Sequence, residues 1–305
     1  MVDPRKMIGF VGVGRMGLPV CANLVRAGHE VAAFDRRPER AAAVRAAGAT
    51  WVGSAAAAAA DADVLITVLP GPPEVVEAMT GVDGALESLR PGATWIDMTS
   101  NATAVVAPVQ AAAGARGIEV LEAPMGGGIE AATDASLKLF VGGPAALFER
   151  HRPLLAAIAD PDRLVHVGGL GAGYTTKLLV NLLWFGQAVA TAEALLLGRR
   201  AGLDLTVLRA ALADSAAASE FVRHDLDADF AGDRMASFGL DRCCEELANI
   251  TAQARSLGVP FALSELVDHV HRRAHARYGD VDGELMAVAL LEEESGTSLR
   301  PDPQR

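Results

Sequence analysis

The feature that most constrains the fold is a glycine-rich loop near the start of the 305-residue chain. Gly12-Val13-Gly14-Arg15-Met16-Gly17 follows the apolar run 7–12 and precedes a stretch with helical spacing over 15–27. A G-x-G-x-x-G sequence between a strand and a helix is typical of dinucleotide-binding loops. Its glycines permit a tight turn, a close approach to the pyrophosphate, and close packing of helix on strand. We therefore predict a dinucleotide-binding loop formed by Gly12, Gly14, Arg15, Met16 and Gly17.

An acidic residue beyond the loop bears on which dinucleotide binds. Asp35 lies 18 positions after Gly17, at the end of the second predicted strand. A carboxylate there accepts hydrogen bonds from the adenosine ribose hydroxyls and repels a 2′-phosphate. Arg36 and Arg37 follow at once, either as solvated charges at a helix start or as partners of a 2′-phosphate. We expect NAD as the cofactor and leave NADP open, with Asp35 and Arg36 at the site.

Strand and helix patterns alternate as far as residue 168, and only helical patterns follow. Such alternation predicts an α/β fold with a doubly wound parallel sheet. After a glycine-rich break, a long apolar helix is expected from about Tyr174 to Gly202. Further helices are expected over 204–213, 239–257, 261–278 and 283–294. The sequence therefore predicts an N-terminal Rossmann domain over residues 1–168 and an all-α C-terminal domain over residues 169–305.

Composition excludes several classes of protein. The formal net charge of −11 argues against a nucleic-acid partner. No run approaches 18 consecutive apolar residues, so no membrane span is expected, and the N-terminus shows no signal sequence. The three cysteines form no C-x-x-C pair, which favours reduced thiols in a cytoplasmic protein.

One of the few lysines opens the long helix. Only three of the 27 basic residues are lysines, namely Lys6, Lys138 and Lys177. Asn181 lies one helical turn after Lys177, on the same face. A lysine and an amide at this spacing can address one substrate oxygen, the lysine as general acid or base and the amide as the orienting group. A lysine that merely reaches solvent from a helix start remains the alternative.

Four segments read in order resemble the β-hydroxyacid dehydrogenase family, the 3-hydroxyisobutyrate dehydrogenase and tartronate semialdehyde reductase group of the 6-phosphogluconate dehydrogenase superfamily. The resemblance covers about residues 7–295. Segments similar to family motifs are Gly9 to Gly17, Glu122 to Gly128 (family D-A-P-V-S-G-G), Gly171 to Asn181 (family G-x-G-x-x-x-K-x-x-N-N), and Phe238 to Leu247. Leu69-Pro70 and Asp97 to Ser100 match the family's cofactor loops.

The resemblance implies a metal-free hydride transfer between a nicotinamide and the hydroxyl carbon of a small 3-hydroxy acid or its semialdehyde. Lys177 would be the acid/base and Asn181 would hold the substrate. Backbone amides of Gly126, Gly127 and Gly128 would receive the substrate carboxylate, as a glycine-rich nest can. Leu69, Pro70 and Ser100 would contact the cofactor, and Trp184 and Glu245 the substrate. The helical domain would also form a homodimer or homotetramer.

Three positions depart from the family pattern. Gly126 replaces a serine, Val180 an asparagine and Glu245 a lysine. If Glu245 faces the site, it disfavours a carboxylate and favours an amine or a larger neutral group; alternatively it turns to solvent. An imine reductase on the same fold and a non-catalytic dinucleotide-binding module remain alternatives. Lys177 counts against both.

Two other features are expected to carry no chemistry. His269, His271 and His275 share one predicted helix, and a solvated basic face is expected there rather than a zinc site. Lys138 lies in an alternating strand and is expected to point outward.

Overall fold

The computed structural model describes residues 6–300 and divides the chain after Leu178 into two compact units. The sequence places the domain boundary earlier, after residue 168. Unit 1 extends further because Tyr174 is buried in its apolar core. The division falls within one long helix, so each unit is described by itself.

Unit 1 contains a nine-stranded sheet in the order β3-β2-β1-β4-β5-β6-β8-β7, with β9 paired to β8. The pairs are parallel from β3 through to β6, as predicted. Beyond β6, strand β8 runs antiparallel to both β6 and β7 but parallel to β9, so the sheet is mainly parallel. The strands are β1 (Met7–Val11), β2 (Glu30–Phe34), β3 (Thr50–Trp51), β4 (Val64–Thr67), β5 (Thr94–Asp97), β6 (Glu119–Glu122), β7 (Met125–Gly126), β8 (Leu137–Gly142) and β9 (Ala159–Gly168).

Helices cover both faces of this sheet, which is why its central strands are apolar throughout. Along β4, Val64 and Ile66 enter one apolar cluster and Leu65 enters the other. The helices are α1 (Gly17–Arg26), α2 (Ala41–Ala46, after a 3₁₀ turn at Pro38–Arg40), α3 (Ala55–Ala59), α4 (Pro72–Thr80), α5 (Thr103–Ala115), α6 (Gly128–Thr133), α7 (Ala145–Ala156) and the start of α8 (Ala172–Arg200). Helix α3 begins after Ser54, a residue type that favours helix starts, and the Ser54 hydroxyl accepts a hydrogen bond from Ala57 N at 3.0 Å.

Unit 2 is built from helices, as predicted. After the rest of α8 come α9 (Leu205–Ala213), a π-helical turn (Phe221–Asp225) leading into α10 (Leu226–Ala231), α11 (Leu240–Ser256), α12 (Ala262–Tyr278) and α13 (Met286–Ser295). The segment over 221–231 has no counterpart in the sequence prediction. A π turn spaces side chains differently from an α-helix, so its apolar residues miss the 3.6-residue repeat.

Helix α8 has 29 residues and is long and apolar enough to cross a membrane by length and composition alone. Core helices of soluble proteins share these properties, and 44% of its most apolar window is buried inside the protein. Ala188, Ala192 and Leu195 of this helix lie in an apolar core of unit 2. We therefore regard α8 as a core helix.

Candidate active site

The glycine loop between β1 and α1 requires glycine at two positions for steric reasons. Gly12 has a φ of +97°, and a Cβ there would lie 2.2 Å from the carbonyl oxygen of Val68. A Cβ at Gly17 would lie 1.9 Å from the carbonyl oxygen of Gly12. The loop therefore packs closely against Val68, just after β4, and against the start of α1, as dinucleotide-binding loops do.

The outer side of this loop is where a pyrophosphate fits. A Cβ at Gly14 would meet no backbone atom, its nearest neighbour being Nη2 of Arg37 at 3.4 Å. Arg15 is exposed beside Gly14, and Met16 is half-buried at the start of α1. Free backbone, a helix N-terminus and a cation together suit a phosphate group.

Asp35 is buried at the end of β2 and both of its carboxylate oxygens are engaged. They accept hydrogen bonds from Val13 N at 2.9 Å, Arg37 N at 2.9 Å and Arg37 Nε at 3.1 Å. Burial favours the neutral acid, but the hydrogen bonds and charge of Arg37 lower the pKa of Asp35 below its usual value. Asp35 thus fixes the glycine loop and holds Arg37 beside it, while Arg36 is exposed.

The loops that follow β4 and β5 lie side by side at the carboxyl edge of the sheet. Leu69 N donates a hydrogen bond to Thr99 Oγ1 at 3.1 Å. Pro70 is exposed and Ser100 is half-buried. The structure therefore brings together the two loops expected to contact a cofactor, at the edge where doubly wound sheets bind ligands.

A buried carboxylate, the first residue of the segment Asp97 to Ser100, lies at the end of β5. Asp97 accepts hydrogen bonds from Tyr174 Oη and Thr67 Oγ1, both at 2.7 Å, and from Asn101 Nδ2 at 2.8 Å. Burial raises the pKa of both Asp97 and Tyr174, so the phenol stays protonated and donates. Asp97 thereby connects the loops after β4 and β5 to the first turn of α8.

A second buried carboxylate, at the end of β6, holds the same turn. Glu122 accepts hydrogen bonds from Gly171 N at 2.6 Å, Gly173 N at 3.0 Å and Gln110 Nε2 at 3.0 Å. It satisfies backbone donors that a helix start otherwise leaves unpaired. Burial raises the pKa of Glu122 in spite of these bonds. A Cβ at Gly173 would lie 2.9 Å from Cβ of Glu122, which explains why a glycine occupies this position.

Lys177 follows this fixed turn. It is half-buried and lies three residues after Tyr174 in α8. The position of its backbone is therefore determined by Glu122 and Asp97. Either acid could have been suspected from the sequence, because each follows an apolar strand and Glu122 opens the E-A-P-M-G-G-G segment.

Gly126, Gly127 and Gly128 lead from β7 into α6. Gly127 and Gly128 are exposed and have φ values of +112° and +68°. Gly126 is half-buried and pairs with Lys138 of β8. Lys138 is the one residue of β8 that is not buried, in line with the expected outward position. It is half-buried rather than fully exposed, with Nζ 5.3 Å from the centre of the Phe140 ring.

In unit 2, Asn181 and Trp184 each have a carboxylate partner. Asn181 Nδ2 donates to Glu246 Oε2 at 2.5 Å, and Trp184 Nε1 donates to Asp225 Oδ2 at 2.7 Å. The bond to Glu246 links α8 to α11 within unit 2. The Trp184 ring also packs edge-on against Phe221, with ring centres 5.5 Å apart.

Glu245 does not stand as an isolated negative charge. Its carboxylate accepts a hydrogen bond from Arg242 Nη1 at 2.8 Å, one turn earlier on α11. Arg242 therefore offsets the anion that replaces the family's lysine.

The three histidines of α12 do not form one solvated face. His271 is buried, packs against Phe185 with ring centres 5.1 Å apart, and has Nδ1 2.9 Å from the Val267 carbonyl oxygen. The expectation of a solvated face is therefore wrong for His271. His275 Nε2 lies 2.7 Å from Asp280. Within residues 6–300 there is no group of three or more His, Cys, Asp or Glu side chains suited to a metal ion.

Comparison with known families agrees with this geometry. Residues 7–169 match the NAD binding domain of 6-phosphogluconate dehydrogenase. Residues 171–291 match the family described as NAD-binding of NADP-dependent 3-hydroxyisobutyrate dehydrogenase. The chain belongs to the β-hydroxyacid dehydrogenase family. As predicted, it has an NAD(P)-binding Rossmann domain followed by a helical domain.

This chain is similar to individual members of the β-hydroxyacid dehydrogenase family over different lengths. A probable 3-hydroxyisobutyrate dehydrogenase from Mycobacterium tuberculosis is 38% identical over 197 residues, so the match spans only 65% of that relative's length and 65% of this chain. A 2-(hydroxymethyl)glutarate dehydrogenase from Eubacterium barkeri is 29% identical over 96% of this chain and 97% of its own. A solved Mycobacterium tuberculosis 3-hydroxyisobutyrate dehydrogenase with L-serine has a TM-score of 0.83 and 29% identity, covering 94% of this chain and 99% of that one.

Proposed function

We propose that the protein is an NAD(P)-dependent dehydrogenase that interconverts a small 3-hydroxy acid and its semialdehyde. The observation that carries the proposal is the placement of Lys177. This lysine follows a helix start that two buried carboxylates fix in the dinucleotide-binding unit. It also belongs to the chain's G-x-G-x-x-x-K segment, and the similar proteins carry names of enzymes that act on CH–OH groups.

In this reaction each of the candidate site residues has a separate role. Lys177 Nζ takes the proton of the substrate hydroxyl during oxidation and returns it during reduction, which requires a neutral amine at the start of oxidation. The amide of Asn181, one turn further along α8, orients the substrate. The backbone amides of Gly126, Gly127 and Gly128 receive the carboxylate. A nicotinamide, when bound, supplies the hydride chemistry that these side chains lack.

Imine reductases share the fold: one from Myxococcus stipitatus has 19% identity and a TM-score of 0.64. Likeness at that level speaks for the fold alone. The named relatives at higher identity are dehydrogenases, which favours the hydroxy-acid reaction. A non-catalytic module would have no need of Lys177 in this position.

A hydride-transfer screen tests the proposal. Purified protein is incubated with NAD or NADP and with 3-hydroxyisobutyrate, serine, glycerate, 3-hydroxypropionate or 4-hydroxybutyrate, and the absorbance of reduced nicotinamide is followed. Semialdehydes and cyclic imines are offered with the reduced cofactors. Turnover of a hydroxy acid supports the dehydrogenase. Turnover of imines alone, or cofactor binding with no turnover, would favour one of the alternatives.

The Asp35–Arg37 pair predicts how the cofactor is selected. Asp35 disfavours a 2′-phosphate, while Arg37 beside it offers a cation, so NAD is preferred and NADP is tolerated. Arg37→Ala is expected to raise the KM for NADP about tenfold or more, the usual cost of a lost charged contact. The KM of the same variant for NAD is expected to stay within about twofold of the wild-type value. Steady-state kinetics with both cofactors measures this.

The control for the cofactor prediction is Arg45→Ala, which removes an exposed arginine of α2. It is expected to leave both KM values unchanged. An equal rise of the two KM values in Arg37→Ala would contradict selection at the 2′ position.

Helix α8 also provides a surface for a second copy of the chain. Leu183 and Leu197 are 64% and 72% exposed, and exposed Ala190 lies midway between them at heptad spacing. An apolar stripe with this spacing is self-complementary when two such helices pack around a twofold axis. The protein is therefore a homodimer, or a homotetramer built from such dimers. Its three free cysteines fit the reducing cytoplasm.

The double substitution Leu183→Asp and Leu197→Asp is expected to convert this oligomer to monomers, because it buries charge in an apolar interface. Light scattering after size-exclusion chromatography measures the mass. Val82→Asp is the control, since Val82 is 98% exposed in unit 1. A wild-type monomer, or a double variant of unchanged mass, would contradict the assignment.

A further inference from the structure

The carboxylate subsite contains a residue beyond the glycines. Resting on the proposed function, in which residues 126–128 receive the substrate carboxylate, we propose that Lys138 binds this carboxylate through its ammonium group. The ammonium group of Lys138, on β8, thus replaces the hydroxyl donor that is lost where Gly126, on β7, stands in place of the family's serine. Lys138 then determines specificity for acids over neutral alcohols.

The register of β7 and β8 places Lys138 beside the glycines. Gly126 and Lys138 are directly paired in antiparallel strands. Residues opposite each other in such a pair project to the same face of the sheet. A Cβ at Gly126 would lie 3.8 Å from Cβ of Lys138, which confirms that both positions share one face.

The ring of Phe140 forms the floor of this face. Its Cε2 atom would lie 3.7 Å from a Cβ at Gly126, and Nζ of Lys138 lies 5.3 Å from the ring centre. Phe140 is buried and therefore fixed in position. A cation over an aromatic face is held in place while its remaining N–H groups stay available to an anion.

Within the described part of the chain, the positive charge of Lys138 is not neutralised by an ion pair. Across residues 6–300 no carboxylate forms an ion pair with this ammonium group, which lies against the ring of Phe140 instead. Gly126 places no side chain on this face, and a Cβ at Gly128 would meet no atom within 4 Å, so the exposed backbone near the lysine is open to a ligand. An acid bound there would meet both backbone donors and a full positive charge.

A binding experiment tests this without depending on turnover. Isobutyrate and its neutral analogue isobutyramide are titrated by calorimetry into the protein saturated with NADH. Wild type is expected to bind the acid about tenfold more tightly than the amide, the usual effect of a charge-assisted contact. Lys138→Gln is expected to lower the affinity for the acid by a similar factor and to leave the amide unaffected.

Two further variants sharpen the result. Lys138→Arg keeps the charge and is expected to retain most of the preference for the acid, whereas Lys6→Gln removes a lysine elsewhere and should have no effect. Equal binding of acid and amide by wild type, or an unchanged preference in Lys138→Gln, would overturn the proposal. A preference that depends on Lys138 in a protein without hydroxy-acid turnover would refute only the proposed reaction.

Discussion

Replacement of Lys177 by alanine is expected to lower kcat for the oxidation of the substrate about 10²- to 10⁴-fold, the range contributed by a positioned general acid or base. The affinity for the dinucleotide should stay within about twofold of wild type, because the glycine loop and Asp35 are untouched. Steady-state rates, with dinucleotide binding followed by fluorescence, measure both quantities.

The arginine variant separates proton transfer from simple charge. An arginine at position 177 keeps a cation but does not give up its proton at working pH. Lys177→Arg should therefore be about as inactive as Lys177→Ala. Lys6→Ala controls for the loss of a lysine as such. Substantial turnover by Lys177→Arg would contradict a role for Lys177 as acid or base.

The second large effect is expected at Glu122. Glu122→Ala would remove the carboxylate that accepts from three buried backbone donors, namely Gly171 N, Gly173 N and Tyr174 N. Each unsatisfied buried donor costs about 1–3 kcal/mol, so the free energy of unfolding should fall by about 3 kcal/mol or more. Urea denaturation followed by circular dichroism measures the change.

Two variants of β6 serve as references for Glu122. Glu119 begins the same strand and forms a surface ion pair with Arg150 at 2.6 Å. Glu119→Ala should therefore cost about 1 kcal/mol or less. Glu122→Asp keeps the carboxylate and should recover part of the lost free energy of unfolding. Equal losses for Glu119→Ala and Glu122→Ala would show that the bonds to the start of α8 contribute little.

Local sequence patterns were sufficient for much of the fold. The spacing of the loop glycines, the cap at Ser54 and the change from alternating patterns to helical ones each depend on neighbouring residues. The reversal of β8 was not predictable in this way, because strand direction depends on how the chain returns to the sheet. The π turn at Phe221–Asp225 was missed because it breaks the helical repeat.

The candidate site was harder to predict from the sequence, because it too depends on contacts between residues far apart in the chain. Tyr174 and Asp97 are bonded in the structure but lie 77 residues apart in the chain. An alternating strand pattern says that Lys138 projects to one face, but only the register with β7 shows that this face is shared with Gly126. His271 appears solvated in a charged segment, yet its helix turns it against Phe185.

The central claim is direct hydride transfer at the hydroxyl carbon of a 3-hydroxy acid. Its most direct test uses a hydroxy acid that the enzyme oxidises, labelled with deuterium at that carbon. The reduced dinucleotide is then analysed by mass spectrometry. We expect deuterium to appear in the reduced cofactor, one atom per turnover, and to be retained there in ordinary water. Loss of the deuterium to solvent, or product formation with no labelled cofactor, would contradict the assignment.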